Sequence, residues 1–369
     1  MPTPAERARA ALARGDLIAA YDAAVSAIAE GDGSEDVRHQ QVLALARMGD
    51  TARAMELFDS YALGRSADPH KRALGARLLK DKALSLPPGE TRLAALCDAF
   101  EAYHRIFRES GDSFPGINAA TLALLSGREE EAARIAAALL EDPAVAEARD
   151  FYLAVTRAEA LLVLGRAEAA AEALAAPAVQ ASPDHGARST SRRQLAMIAD
   201  HLGLGEADRA GLLAALAPPA VVHYAGHMFA ADPAVEAALG GAIESLLAEE
   251  NAGFGYGSLA CGSDILFAEA LLARGAELHV ILPFAEEDFL AQSVLPGGDA
   301  WLPRYRACLA AAASVTQATA IPFFGDADQY GYASRMAMGL ARLRAEHLRS
   351  EPVQAVVWDG AAVAGPAGT

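Results

Sequence analysis

The sequence is poor in lysine and cysteine and has no long apolar run. Its only lysines are Lys71, Lys80 and Lys82, so the region after them can contain neither a phosphate-binding P-loop nor a Schiff-base lysine. Three scattered cysteines are too few for a disulfide framework or a zinc knuckle, and they fit a reducing cytoplasm. No run approaches the roughly 18 apolar residues of a spanning helix. The polar N-terminus is unlike a secretory signal peptide, so we expect a cytoplasmic protein without a membrane partner.

The composition favours a helical and acidic protein. The net charge at pH 7 is −17, and 53% of the residues are hydrophobic against 21% that are charged, which is typical of a globular chain. Alanine, the strongest helix former, is the most abundant residue. Because a chain of this charge repels a phosphate backbone, we expect no nucleic-acid partner.

A repeat is visible in the first half of the chain. Gly15-Asp16 and Gly49-Asp50 lie 34 residues apart, and each pair precedes a run with small residues at matching positions. The glycine suits a helix end with positive φ, and the aspartate can cap the next helix. This spacing is typical of tetratricopeptide repeats. An ordinary bundle of alanine-rich helices is the alternative.

The repeat continues less regularly towards residue 215. Gly127 and Gly165 each follow an apolar run, 38 residues apart, whereas helices predicted at about 68–83 and 90–109 fit the period poorly. Repeat arrays usually offer a concave surface to a protein partner and have no catalytic chemistry of their own. From the acidic composition we expect an acidic surface and a basic partner segment.

The pattern changes near residue 216, where Ala-Pro-Pro at 217–219 interrupts the helices. Strand-like and helix-like runs then alternate, which predicts a Rossmann-like parallel sheet covered on both faces. The predicted strands are about 220–224, 253–257, 277–283, 314–318 and 353–358, and the predicted helices are about 233–249, 264–274, 286–293, 300–312 and 328–349.

The predicted fold class is therefore an α-helical repeat domain, residues 1–215, followed by a Rossmann-like α/β domain, residues 216–369. The final residues, Gly-Pro-Ala-Gly-Thr at 365–369, resemble a linker. Such an end is compatible with a natural chain that continues beyond Thr369.

Ligands of parallel α/β sheets bind beyond the carboxyl ends of the strands. The second predicted strand is rich in glycine, which indicates close approach of a ligand or of another backbone. Its turn opens a helix whose free N–H groups favour an anion. The candidate ligand-binding residues at this edge are Gly226, His227, Gly257, Ser258, Gly262, Ser263, Asp264 and Arg335.

Some of these candidates have ordinary structural alternatives. Asp264 can simply cap its helix, and Arg335 can pair with a surface acid instead of a phosphate. The candidate catalytic carboxylates are Glu269 and Glu287. Glu269 is the lone interior acid of a nearly all-apolar helix. It is either buried, where burial would raise its pKa, or placed on a small solvent-exposed strip of the helix. The absence of G-x-G-x-x-G disfavours NAD-dehydrogenase chemistry, and His223 with His227 has the wrong placement for a metal site.

The helical half resembles a known regulatory region over residues about 100–175. The run Phe-Pro-Gly-Ile-Asn-Ala-Ala-Thr at 114–121, followed by Leu-Leu-Ser-Gly at 124–127, looks like the TRAFs-binding (DUF4071) region. That region occurs in apoptosis-signal-regulating MAP kinase kinase kinases and in bacterial tetratricopeptide proteins. No kinase motif is present, so the resemblance implies a protein-binding regulatory role.

The second half resembles the SLOG superfamily of Rossmann-like domains, in the version fused to tetratricopeptide repeats in bacterial signalling and conflict systems. The similarity rests on Gly-Ser-Leu-Ala-Cys-Gly-Ser-Asp at 257–264, Ala-Glu-Ala-Leu at 268–271, Gly275 and Val-Ile-Leu-Pro at 280–283. It implies binding or cleavage of nucleotide-derived molecules at this edge. The P-G-G-x-G-T-x-x-E motif of the LOG phosphoribohydrolases is missing, so hydrolysis of that type is not implied.

Three functions follow from these features. The first is a signalling protein whose α/β domain binds a nucleotide-type ligand and whose repeats dock a protein partner. The second is a hydrolase of the N-glycosidic bond of a nucleotide or NAD, with Glu269 or Glu287 as the carboxylate. The third is a non-catalytic scaffold. The sequence leaves open the ligand's identity, any cofactor and the choice between binding and catalysis.

Overall fold

The computed structural model describes residues 3–360, so the linker-like residues 365–369 lie outside the described part. The chain divides into two compact units, Met1–Ala217 and Pro218–Thr369. The first is an array of helices and the second is built on a parallel sheet, so the predicted fold class is confirmed.

The first unit is entirely helical over its described residues. Its α-helices are α1 (Pro4–Arg14), α2 (Leu17–Ala29), α3 (Glu35–Met48), α4 (Thr51–Ser60), α5 (Pro69–Ser85), α6 (Glu90–Ser110), α7 (Ser113–Leu125), α8 (Glu129–Glu141), α9 (Pro143–Glu147), α10 (Phe151–Val163), α11 (Ala167–Leu174), α12 (Pro177–Gln180), α13 (His185–His201) and α14 (Glu206–Ala214). Most of them form antiparallel pairs in which the second helix packs against the first.

The turn chemistry read from the repeat is present in the structure. Gly15 and Gly49 end α1 and α3 with φ of 76° and 91°, a region that favours glycine. Asp16 and Asp50 then cap α2 and α4, because their carboxylates accept the N–H groups three residues further on. The later helix pairs keep the glycine. The N-cap residue before α8 and the one before α11 are arginines, however, and their side chains make no capping hydrogen bond.

The first helices of the pairs form a continuous inner layer. Helices α1, α3, α5, α7, α10 and α13 contact one another in that order, and α13 also contacts α1. Alanines such as Ala73, Ala119 and Ala158 are fully buried where helices meet, since small side chains let helices approach closely. This layer surrounds a groove of about 700 Å³.

The second unit contains five parallel strands in the order β4-β3-β2-β1-β5. The strands are β1 (Ala220–Gly226), β2 (Ala252–Gly257), β3 (Glu277–Leu282), β4 (Ser314–Gln317) and β5 (Pro352–Val357), and the helices are α15 (Pro233–Glu249), α16 (Ser263–Ala273), α17 (Glu286–Phe289), α18 (Trp301–Ala311) and α19 (Asp328–Leu348). A turn of π-helix, Leu290–Val294, follows α17. The predicted strands and helices are thus all present.

Helices cover both faces of the sheet. Val222 of β1 packs in one core with α16, whereas its neighbour Val221 packs in another with Ala337 of α19. Because successive side chains of a strand point to opposite faces, α16 and α19 lie on opposite sides. The strand order reverses at β1, which lies between β2 and β5, and such a reversal opens a crevice at the carboxyl edge.

None of the helices described between residues 3 and 360 combines the length and apolar character needed to cross a membrane.

Candidate functional site

A cleft of about 610 Å³ opens at the carboxyl edge of the sheet, where the strand order reverses. Its walls are the ends of β1, β2 and β3, the first turns of α19, and β5. Five of the eight residues predicted to bind a ligand line it: Gly226, Gly257, Ser258, Asp264 and Arg335. The volume falls within the usual range for small-molecule sites, about 300–1,000 Å³.

The other three predicted ligand-binding residues do not line the cleft. Ser263 donates from Oγ, at 3.0 Å, and from its backbone N–H, at 3.3 Å, to the carbonyl oxygen of His227. His227 Nε2 also lies 3.4 Å from Asp359 Oδ1. Gly262, with φ of 90°, brings the chain into α16 against Phe229. These contacts hold the loop after β1 against the start of α16.

The glycines of β2 leave room for neighbouring side chains of the same unit. A Cβ on Gly255 would overlap Leu271 of α16, and one on Gly257 would overlap the ring of Tyr224. A Cβ on Gly226 would likewise overlap Ser263. The glycine-rich strand therefore reflects internal close packing, which differs from the approach of a ligand or backbone that the sequence suggested.

Asp264 is the buried acid of the cleft. Only 6% of the residue is exposed, and Oδ2 accepts the N–H of Ala260 at 3.2 Å. The helix cap is Gly262, so Asp264 reaches back to the preceding loop instead of capping α16. Burial raises its pKa from 3.8 to about 7, although the N–H groups of Ala260 and Gly226 favour the charged form. Its Oδ1 is buried and has no hydrogen bond of ordinary geometry within residues 3–360.

His223 on β1 was missed as a ligand-binding residue from the sequence. It is 5% exposed and lines the cleft. Burial lowers its pKa from 6.5 to about 4, so the imidazole is neutral at pH 7. Its buried Nδ1 has no hydrogen-bond partner in the described part of the chain. The available signal was a histidine inside an otherwise apolar strand.

Ser258 supplies a third polar atom of the same kind. It directly follows β2, and its carbonyl oxygen accepts the hydroxyl of Tyr224 at 3.0 Å, which fixes the loop. Its Oγ is buried without a hydrogen-bond partner among residues 3–360. Such groups cost about 1–3 kcal/mol each when left unpaired, so His223, Ser258 and Asp264 together point to a polar ligand.

Arg335 adds a cation at the rim of the cleft. It lies in the second turn of α19 and is exposed. No carboxylate between residues 3 and 360 forms an ion pair with it, so a surface acid does not account for it. A guanidinium at the mouth of a cleft can meet a phosphate or carboxylate of a ligand.

Neither predicted catalytic carboxylate lines the cleft. Of the two placements considered for Glu269, buried or on a solvent-exposed strip, the structure supports the second. Its side chain is 37% exposed, and it accepts hydrogen bonds from Arg304 on both carboxylate oxygens. The apolar appearance of α16 hid this pair because the arginine comes from α18. Glu287 is exposed on the short helix α17. The titratable acid that the structure places in the cleft is Asp264.

Metal ligation finds no support in the geometry. No cluster of three or more His, Cys, Asp or Glu side chains within residues 3–360 is arranged to hold an ion. Of His223 and His227, only His223 lines the cleft.

Comparison with known proteins gives a family match for part of the helical unit. No curated protein and no solved structure matches the chain. Residues 16–123 match the TPR-S family, whose description is Tetratricopeptide Repeats-Sensor. The matched segment runs from the cap of α2 into α7. The N-terminal region is therefore a helical repeat array with similarity to sensor-type tetratricopeptide repeats, and it precedes a five-stranded parallel α/β sheet.

Proposed function

We propose that this is a cytoplasmic signalling protein in which the cleft of the α/β unit binds a nucleotide-derived ligand. The helical repeats would dock a protein partner. The observation that carries the ligand half is that three buried polar atoms meet at one cleft: His223 Nδ1, Ser258 Oγ and Asp264 Oδ1. None of the three makes a hydrogen bond of ordinary geometry to residues 3–360.

The chemistry of these atoms favours hydroxyl and amino groups. A neutral imidazole nitrogen accepts or donates according to its tautomer, and a serine hydroxyl does both. Asp264, with a pKa of about 7, can also accept or donate near neutral pH. A ribose and a base present such groups, and Arg335 at the rim is suited to a phosphate. The resemblance of residues 257–264 to the SLOG superfamily agrees with this ligand class.

The docking half of the proposal rests on the repeats. Residues 16–123 match a sensor-type repeat family, and repeat arrays commonly present extended surfaces to proteins. The resemblance of residues about 100–175 to the TRAFs-binding region supports a protein partner of the signalling class.

A thermal-shift screen tests the ligand. The full chain is mixed with nucleoside mono-, di- and triphosphates, cyclic nucleotides, NAD and ADP-ribose. A ligand at about 100 times its Kd adds roughly 2.7 kcal/mol of stability, which is readily seen. The shift should disappear in Ser258→Ala and persist in Ser245→Ala, an exposed serine of α15. Equal thermal shifts in the two variants would exclude the cleft as the binding site.

A hydrolase of N-glycosidic bonds is the second candidate, because Asp264 carries a property that such an enzyme needs. A carboxyl with a pKa near 7 inside a cleft can act as an acid or a base. Chromatography after each incubation decides. Free nicotinamide or nucleobase that Asp264→Asn abolishes and Glu269→Gln preserves would make the protein an enzyme, whereas intact ligand supports the sensor.

A further inference from the structure

The helical unit contains a groove of about 700 Å³, which the proposed function does not use. Its walls come mainly from α3, α5, α7, α10 and α13, and its size is that of a site for an organic small molecule. Six polar side chains line it although each residue is at most 8% exposed: Lys80, Tyr103, Asn118, Thr156, Glu159 and Gln194. We call this site the repeat groove.

The ammonium group of Lys80 finds its partners within the helical unit. Its Nζ donates to Asn118 Oδ1 and to Gln194 Oε1, both at 2.9 Å, and lies 5.8 Å from the centre of the Tyr103 ring. Asn118 is itself oriented by a bond from Nδ2 to the carbonyl oxygen of Phe114, at 3.0 Å. This charge therefore does not require an anion from outside.

The other polar side chains of the groove keep free atoms. Glu159 of α10 accepts one long hydrogen bond within residues 3–360, of 3.5 Å from Gln194 to Oε2, which leaves Oε1 without one. Thr156, one turn earlier on α10, and Tyr103 of α6 make no hydrogen bond through their hydroxyls in the described part of the chain. Because buried polar groups are unfavourable when unpaired, these three point to a polar group that enters the groove.

The charges along the groove favour a cation as that group. Five carboxylates and four lysine or arginine side chains line it. Asp81 pairs with both Arg77 and Arg193, at 3.3 and 2.8 Å. Within residues 3–360, four lining carboxylates then have no lysine or arginine partner, against two lining cations without a carboxylate: Asp112, Asp142, Asp150 and Glu159 against Arg47 and Lys80. The unpaired charge is therefore mainly negative.

Glu159 is the acid that a ligand would meet deepest in the groove, because it is 5% exposed. Burial raises its pKa to about 7, although the nearby charge of Lys80 lowers it. An ammonium or guanidinium group can donate to Oε1 and hold this carboxyl in its charged form. The hydroxyls of Thr156 and Tyr103 can accept further N–H groups of the same cation.

Apolar walls accompany these polar groups. Leu74, Ile117 and Val155 line the groove, and the rings of Phe114 and Tyr152 are 38% and 61% exposed beside it. Such surfaces accept an aliphatic or aromatic body. The groove thus suits a molecule that combines a basic nitrogen with an apolar part. An anion of the same shape would meet the unpaired carboxylates as like charges.

We propose that the repeat groove is a second ligand site, which binds an organic cation with its basic nitrogen among Tyr103, Thr156 and Glu159. Its apolar part lies against the walls of the groove. Tyr103 falls within the residues that match the sensor-type repeats, and α10 lies beyond them. The repeats then bind a small molecule in addition to presenting a surface to a protein.

Isothermal titration of the full chain with three indole compounds of similar size tests the charge of the ligand. Tryptamine is a cation at pH 7, tryptophol is neutral and indole-3-acetate is an anion. We expect tryptamine to bind about tenfold or more tightly than tryptophol, and indole-3-acetate to bind most weakly. The proposal is overturned if either of the other two binds as tightly as tryptamine, or if tryptamine at millimolar concentration does not bind.

Glu159→Gln tests the position of the basic nitrogen. It should weaken tryptamine binding about tenfold and leave tryptophol binding nearly unchanged. Glu168→Gln is the matched control, because Glu168 is an exposed acid of α11 outside the groove and its substitution changes the net charge equally. Tyr103→Phe removes only a hydroxyl and should weaken tryptamine binding severalfold. Circular dichroism checks that each variant folds.

Asp264→Asn separates the two sites. It alters the α/β cleft and should leave tryptamine binding in the groove intact. Tryptamine binding that is lost in Asp264→Asn but kept in Glu159→Gln and Tyr103→Phe would assign the cation to the cleft and overturn the proposal. Since none of these indole compounds is a nucleotide, either result leaves the thermal-shift test of the cleft unaffected.

Discussion

Arg304 of α18 donates two hydrogen bonds, of 2.7 and 2.6 Å, to the two carboxylate oxygens of Glu269 on α16. It also donates to Glu236 of α15 at 2.6 Å and lies over the ring of Trp301. One guanidinium therefore ties together the three helices on one face of the sheet. The carboxylate that looked catalytic in the sequence has a structural role in this arrangement.

Because Glu269 pairs with Arg304 outside the cleft, we expect its substitution to change stability and to leave ligand binding unchanged. Glu269→Gln removes the charge that Arg304 contacts and should cost about 1 kcal/mol, a modest amount because the pair is partly exposed. Urea unfolding measures the loss, and the exposed Glu244→Gln on α15 should change stability by less than about 0.5 kcal/mol. Loss of ligand binding or turnover in Glu269→Gln would contradict this and show that Glu269 takes part in the ligand site.

Asp264 should make the stability of the α/β unit depend on pH. Its folded pKa, about 7, lies above the ordinary value of 3.8, so the folded state holds the proton more tightly. The stability from Asp264 is therefore complete below about pH 4 and is lost as the pH rises through about 7. Asp264→Asn removes this loss, and its stability advantage over wild type should grow by roughly 2 kcal/mol between pH 5 and pH 8.

Denaturant titrations of both proteins at the two pH values measure that difference. His223 acts in the opposite direction, since its stability is lost as the pH falls from 6.5 through about 4. Because His223 is present in both proteins, its contribution cancels in the comparison. Asp299→Asn, at an exposed position of the same unit, is the control for removal of a carboxylate outside the cleft. A constant difference between Asp264→Asn and wild type would show that this carboxyl is charged throughout.

Gly262 should tolerate no side chain. Its φ of 90° is unfavourable for other residues, and a Cβ would lie 2.6 Å from the ring of Phe229 and 2.8 Å from its backbone nitrogen. Gly262→Ala should therefore cost about 2 kcal/mol or more. Gly240 of α15 is the contrast, because a Cβ there meets nothing within 4 Å. Gly240→Ala should stabilise by about 0.5–1 kcal/mol. Thermal unfolding that ranks the two variants the other way would contradict the packing of this turn.

The helix caps predict how the repeats can be strengthened. Asp50 caps α4 and its replacement by alanine should cost about 1 kcal/mol. Arg166 occupies the same place before α11, with φ of −95° and ψ of 66° against −79° and 66° at Asp50, but makes no capping bond. Arg166→Asp should therefore stabilise by about 0.5–1 kcal/mol. Arg166→Ala is the control that removes the arginine without adding a cap, and equal stability of the two variants would exclude the capping effect.

Local patterns determined most of the fold. A glycine at a helix end and an aspartate at the next cap act within a few residues, so Gly15-Asp16 and Gly49-Asp50 could be read directly. The alternation of apolar strands and helices after residue 216 likewise specified a parallel sheet. Candidates at the ends of strands, such as Ser258 and Asp264, followed from the rule that the carboxyl ends share one edge.

Only the tertiary structure decided what those candidates contact. The sequence could not decide whether Glu269 is buried or exposed, because its partner Arg304 is 35 residues away. Nor could it distinguish His223 from a structural residue of an apolar strand, because the cleft beside it forms only in the folded chain. The sequence determined an acidic, helix-rich chain with repeats and an α/β half. The sequence did not reveal that Lys80 is buried, because its hydrogen-bond partners Asn118 and Gln194 come from helices that are distant in the chain. Burial and charge compensation depend on residues far apart in the chain, so only the folded structure sets them.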